Sequence, residues 1–293
     1  MKKTPILLAL LLSLLYFRCA IWITNVWLND PYYSHGFLVL FVSVFIAWRN
    51  TVKHKKEHEF KLKPEHEYAL ENEPFKPGIF IFGFGLILYL IGFIKLFPLL
   101  AAFSFLFTTS GLILYFYGKA AMHRFLFPIS FLIFAIPLPF LVNVAHILQS
   151  LSARYSTLII GALGIPVTRL GAQIHLQNAS FTIGLPCSGM NTLISLLALA
   201  AIFTYILKCP FYKKAALFCI SIPIAIGANI LRITSILLIA HQYGSDAAMK
   251  FFHDFSNPFL FVFAFAFLIL ISIIIGCKLR GGAQYGVEKP ESK

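Results

Sequence analysis

The chain has 293 residues, of which 59% are hydrophobic and only 12% charged, and its mean hydropathy is +0.83. Those proportions exclude an ordinary soluble core and define a polytopic membrane protein. The formal net charge of +13 does not point to nucleic acid, because the basic residues lie between apolar runs without the aromatic interleaving of a binding surface.

The first apolar run, 5–28, is long and has no small-residue cleavage site before Trp27, so it reads as a retained span. Further spans are expected at 36–49, 78–97, 98–118, 125–143, 190–207, 214–240 and 258–277, about eight in all. Residues 50–77 form a mixed-charge loop whose histidines, His54, His58 and His66, read as surface residues. Between 144 and 186 the pattern changes. "AHILQSLSARYSTLIIGALG" reads as a helix, either along the membrane surface or in the bundle. "IPVTRLGAQIHLQNASFTIGLP" alternates apolar and polar residues around Gly171 and Asn178, as a small β-hairpin does. The expected fold is all-α and polytopic, one integral membrane domain over 1–280 with this hairpin before Cys187 and a cytoplasmic tail at 281–293.

Orientation follows from the basic residues of short loops. With the N-terminus inside, all of the 24 Lys and Arg residues fall on or beyond the cytoplasmic ends except Arg18, Lys95, Arg154, Arg169, Arg232 and Lys250. Both termini are then cytoplasmic, and 144–186 lies outside with Cys187 at its end. The five cysteines, Cys19, Cys187, Cys209, Cys219 and Cys277, show no CxxC spacing and no neighbouring His. That argues against a metal site and against a disulfide framework, and leaves most of them as small buried hydrophobes.

Cys187 is the exception. Pro186 before it and Ser188-Gly189 after it suit a helix start, where free N–H groups and the positive dipole end favour a thiolate. A structural cysteine in a tight cap is the alternative. Arg232, inside the apolar stretch "IGANILRITSILLIA", is an ionisable residue at membrane depth and so a functional candidate, with a structural or snorkelling arginine as the alternative. Asn229 and Ser235 lie three residues to either side and extend a polar stripe. His253, in "KFFHDFSNPFLF", is the imidazole expected on the same side. His241 falls nine residues from Arg232, on roughly the opposite helix face at about 100° per residue. A thiol, a guanidinium and an imidazole suit acyl transfer as nucleophile, oxyanion partner and acid/base.

"WLNDPYYSHGFLVLFVSVFIAW", "CSGM" at Cys187, "NILRI" around Arg232 and "FHDFSN" at His253, in this order, resemble the exosortase/archaeosortase family. The resemblance implies a membrane-embedded cysteine protease or transpeptidase that processes C-terminal sorting signals, by a mechanism thought to parallel the unrelated soluble sortases. It implies Cys187 as nucleophile, Arg232 as transition-state stabiliser and His253 as acid/base, with Ser188, Gly189 and Asn229 as substrate contacts and no metal or cofactor. The implied partners are exported proteins ending in a short motif, a membrane helix and a basic tail, together with membrane lipids and an acceptor amine in the envelope or on a lipid. Met190-Asn191 stands where typical bacterial members carry Leu-Arg, and Asn257 replaces a common glycine, so no particular motif is implied. Simple hydrolysis, or a non-enzymatic transporter or polysaccharide-export scaffold, are the alternatives.

Overall fold

The structure is a computed structural model that describes residues 3–30, 32–61, 75–177, 180–182, 189–251 and 257–279. Its contacts gather into two compact units, within Met1–Asn143 and within Val144–Lys293. The segment 62–74 of the charged loop, the tail from 280 on, and Asn178, Cys187, Ser188 and His253 lie outside the described residues.

The first unit holds α1 (Lys3–Leu15), α2 (Phe17–Asn29), α3 (Gly36–Lys61), α4 (Gly78–Ile94), α5 (Pro98–Phe131) and a 3-10 turn at Leu132–Ala135. The expected first span is divided at Tyr16, whose hydroxyl lies 2.9 Å from Ser104 Oγ and 2.6 Å from Thr108 Oγ1. Helix α3 continues to Lys61, well past the expected end at 49, because no Gly or Pro interrupts 37–61. Helix α5 breaks at Gly118, where φ is 75°. Its first part runs antiparallel to α4 along a seam of small residues. A Cβ on Gly85 would come within 2.6 Å of Thr108 Oγ1, and one on Gly92 within 2.9 Å of the Ala101 nitrogen. Backbones approach this closely only where side chains are absent. The second part packs on α3, with Ser43 Oγ donating to the Pro128 carbonyl (2.7 Å) and Asn50 Nδ2 to that of Arg124 (2.8 Å). Regular helix stops at Ala135 instead of the expected 143, since Pro137 and Pro139 cannot continue it.

The motif at 27–36 is a clasp on this turn. Trp27 Nε1 donates to the Ala135 carbonyl (2.8 Å), and His35 Nε2 to that of Phe134 (3.1 Å). The Tyr33 hydroxyl accepts from the Leu138 nitrogen (2.7 Å). A Cβ on Gly36 would collide with the Trp27 indole. Burial lowers the His35 pKa from its ordinary value, opposed in part by the carbonyls of Phe134 and Tyr32.

The second unit follows from α6 (Leu141–Ala162) through β1 (Val167–Leu170), β2 (Gln173–Leu176) and β3 (Ser180–Thr182) to α7 (Met190–Ile206) and β4 (Leu207–Lys208). It ends with α8 (Phe211–Tyr243), α9 (Ser245–Phe251), α10 (Asn257–Ile274) and β5 (Lys278–Leu279). The alternating stretch forms a three-stranded antiparallel sheet in the order β1-β2-β3, with Val167 opposite Leu176 and Ile174 opposite Phe181. Period-two patterning turns Ile174 and Leu176 inward, onto Ala153 and Ile160 of α6 and Ile233, Leu237 and Ala240 of α8. Helix α6 is therefore packed into its unit rather than lying apart from it.

At the other end of α7, α8 and α10, Ala200, Leu207, Leu217, Leu268 and Cys277 form a second cluster. There β4 pairs with β5, and Cys209 is disulfide-bonded to Cys277, their Cα atoms 5.3 Å apart. This corrects the expectation of unpaired cysteines. The partners are 68 residues apart in sequence, and only the meeting of the α7–α8 corner with the end of α10 brings them together.

Three helical stretches, Gly36–His54, Pro98–Ala135 and Phe211–Tyr243, are long and apolar enough to cross a membrane. Gly78–Ile94, Met190–Ile206 and Phe261–Ile274 are shorter apolar helices, and together they make this a helical membrane protein.

Candidate catalytic site

Helix α7 begins at Met190, and its N-cap is Gly189 at φ 83° and ψ 6°. An L side chain is strained there, which accounts for glycine at this position. A second constraint acts from outside the helix. A Cβ on Gly189 would come within 2.5 Å of Asn229 Cγ and 2.7 Å of its Nδ2. The head of α7 is thus seated directly on the Asn229 side chain of α8. Met190 is buried behind it, as are Leu193 and Ile194.

Asn229 is only 3% exposed, and its Nδ2 donates to Ser152 Oγ on α6 at 2.8 Å. Ser156, one turn further along α6, donates to the Ile230 carbonyl at 3.0 Å. Three helices therefore converge on one polar point: α6 through Ser152, α7 through Gly189 and α8 through Asn229. Sequence reasoning passes over Ser152 and Ser156, whose four-residue spacing beside Ala145 and Ala153 marks a close-packed helix face.

Arg232 lies one turn beyond Asn229 and is 4% exposed. Its guanidinium is always charged, so this is a cation held inside the second unit. The structure brings Gly189, Asn229 and Arg232 onto one patch of α7 and α8. Asn229 is turned toward Ser152 and Gly189, between α6 and α7.

His241 is part-exposed in the last turn of α8, whereas Arg232 is buried. His35, the other histidine of interest, belongs to the clasp of the first unit. On the sheet, His175 stands opposite Ser180, with Nδ1 2.8 Å from Ser180 Oγ. Strand β3 leads along the chain toward Cys187, and α10 begins four residues after His253.

A protein-family model described as a transmembrane exosortase matches residues 27–270. The match starts at Trp27 of the clasp and ends within α10, spanning the patch around Gly189, Asn229 and Arg232. No curated protein matches the chain, and no solved structure does.

Proposed function

The chain belongs to the transmembrane exosortase family, and from that membership we propose that it is a membrane-embedded cysteine transpeptidase acting on C-terminal sorting signals. The observation that carries this reading is the seating of Gly189 on Asn229, one helical turn before the buried Arg232. Cys187 precedes that glycine by two residues in the chain.

The reaction divides a difficult acyl transfer into two easier steps. The Cys187 thiolate adds to the scissile carbonyl, and the Arg232 guanidinium stabilises the resulting oxyanion. His253 protonates the departing amine, which leaves the substrate's acyl part as a thioester on Cys187. An acceptor amine then attacks the thioester, giving its proton to His253, and the thiolate is regenerated. Water in place of the amine would make the same cycle a hydrolysis.

With about eight crossings and both termini inside, the start of α7 faces the exterior of a cytoplasmic membrane. A substrate built as motif, membrane helix and basic tail presents its motif at that level. Ser188, Gly189 and Asn229 would border the motif.

The deciding experiment coexpresses the chain with a candidate substrate of that build and weighs the product. Wild type should yield a truncated protein carrying the mass of an acceptor, and Cys187→Ala should yield none. A product ending in a free carboxylate would make the enzyme a hydrolase. Full processing by Cys187→Ala would end the cysteine mechanism.

A further inference from the structure

The disulfide between Cys209 and Cys277 lies among basic residues: Lys208, Lys213, Lys214 and Lys278 are its neighbours in sequence, and Lys213 Nζ donates to the Ile275 carbonyl at 2.7 Å. The charge rule puts these lysines on the cytoplasmic side. That compartment is reducing, and the disulfides that form in it are in the main transient and redox-sensing. We propose that Cys209 and Cys277 are a reversible thiol–disulfide site, closed by low-molecular-weight disulfides, that clamps α7, α8 and α10 of the second unit at the end far from Arg232.

The surrounding packing holds the two cysteines side by side. Strand pairing sets Leu207 opposite Leu279 and Lys208 opposite Lys278, and Leu207, Leu217 and Leu268 pack with Cys277. With Cα atoms 5.3 Å apart, the two cysteines need no backbone movement to bond. Cys277 is buried and Cys209 part-exposed, so Cys209 is the sulfur that a reagent reaches. The Cys209 thiolate attacks a small disulfide RSSR, forming a mixed disulfide and expelling RS⁻. The Cys277 thiolate then attacks the Cys209 sulfur and expels the second RS⁻. The two cysteine protons pass to the departing thiolates, so the pair is oxidised by two electrons as RSSR becomes two RSH. Excess RSH runs the exchange backwards.

The clamp joins the end of α7, the start of α8 and the end of α10. Helix α7 follows Cys187, α8 carries Arg232, and α10 follows His253. Lys213 and Arg232 are roughly 28 Å apart along α8 at 1.5 Å per residue, so closure acts on the helices and not on the reacting atoms. A closed clamp restrains their sliding and slows processing. This coupling rests on the proposed catalysis, whereas the exchange itself does not.

The test uses the full chain in inside-out membrane vesicles, which present the cytoplasmic face, with Cys187→Ala as the background for counting thiols. Vesicles are held in oxidised or reduced glutathione, denatured, and treated with maleimide-polyethylene glycol for a gel-shift count. Oxidised glutathione should remove two adducts and reduced glutathione restore them, and Cys209→Ser should abolish the difference. Equal counts in both conditions would overturn the site. So would a pair that reduced glutathione opens only in right-side-out vesicles, since it would then face the other side. With Cys187 intact, processing should be slower in the oxidised state, and the redox effect that depends on Cys209 should vanish in Cys209→Ser. Reversible adducts with unchanged processing would remove the coupling. Processing that survives Cys187→Ala would remove the catalytic reading and leave the exchange site standing.

Discussion

Gly189 and Asn229 are so closely opposed that the space a Cβ on the glycine would need is filled by the asparagine's side-chain carbon, 2.5 Å from that position. The contact fixes the start of α7 against α8 one turn before Arg232.

Gly189→Ala meets two penalties. A left-handed backbone at an L residue costs about 1–2 kcal/mol, and the clash with Asn229 adds to it. Thermal unfolding in detergent should show a lower Tm, and processing should fall sharply. In an Asn229→Ala background the steric part should be relieved and the backbone part should stay. A Gly189→Ala protein as stable and active as wild type would show that α7 starts elsewhere.

Ser152→Ala removes the acceptor of a buried amide, a change worth about 1–3 kcal/mol when the partner is left unsatisfied. If Asn229 holds the geometry around Cys187 and Arg232, both Ser152→Ala and Asn229→Ala should lower kcat with little change in KM, and Ser152→Thr should restore part of it. A raised KM at unchanged kcat for Asn229→Ala would mark the asparagine as a substrate contact instead.

Arg232→Lys keeps the charge but loses the planar fork, and a loss of roughly 10²-fold in processing is expected, the scale of one oxyanion donor. His253→Gln should lose turnover while the protein inserts and Cys187 is still alkylated at high pH, where its thiolate forms unaided. Unchanged cleavage with an unchanged pH profile in His253→Gln would reject it as acid/base. His241 would then be the next imidazole to replace, with His35 after it.

Labelling with an impermeant maleimide tests orientation, and the disulfide dictates how it is done. In the oxidised wild type neither Cys209 nor Cys277 can react, so silence there says nothing about sidedness. In single-cysteine variants Cys187 should label from outside and Cys209 should not. The opposite pattern would invert the topology.

His35 supplies a pH signature of the clasp. Its folded pKa is lowered by burial, so below the ordinary value of about 6.5 the unfolded chain binds the proton more readily than the folded one. Its contribution is therefore complete above that value and lost as pH falls through the folded pKa. The Tm difference between wild type and His35→Gln should shrink as pH drops from 8 to 5. A constant difference would mean that the imidazole does not titrate in the clasp.

What was legible in the sequence is what depends on neighbours along the chain. Apolar runs gave the membrane class and most helix positions, since hydropathy and helical period are local properties. The expected span end at 118 falls on the break at Gly118, and the expected helix start at 190 falls on Met190, since both depend on residues adjacent in the chain. The extents differ at α3, which no breaker interrupts over 37–61, and after Ala135, where Pro137 and Pro139 end the helix. Contacts that span the chain were beyond reach. Cys209 meets Cys277 across 68 residues, Asn229 meets Ser152 across 77, and Trp27 meets the Ala135 carbonyl across 108. Thiol, amide, hydroxyl and indole each have many chemically suitable partners in 293 residues, and only packing of the helices selects one. Residue chemistry therefore determined which functional groups are present along the chain. The tertiary structure decided that Gly189 would rest on Asn229, and so which face of α8 the head of α7 meets.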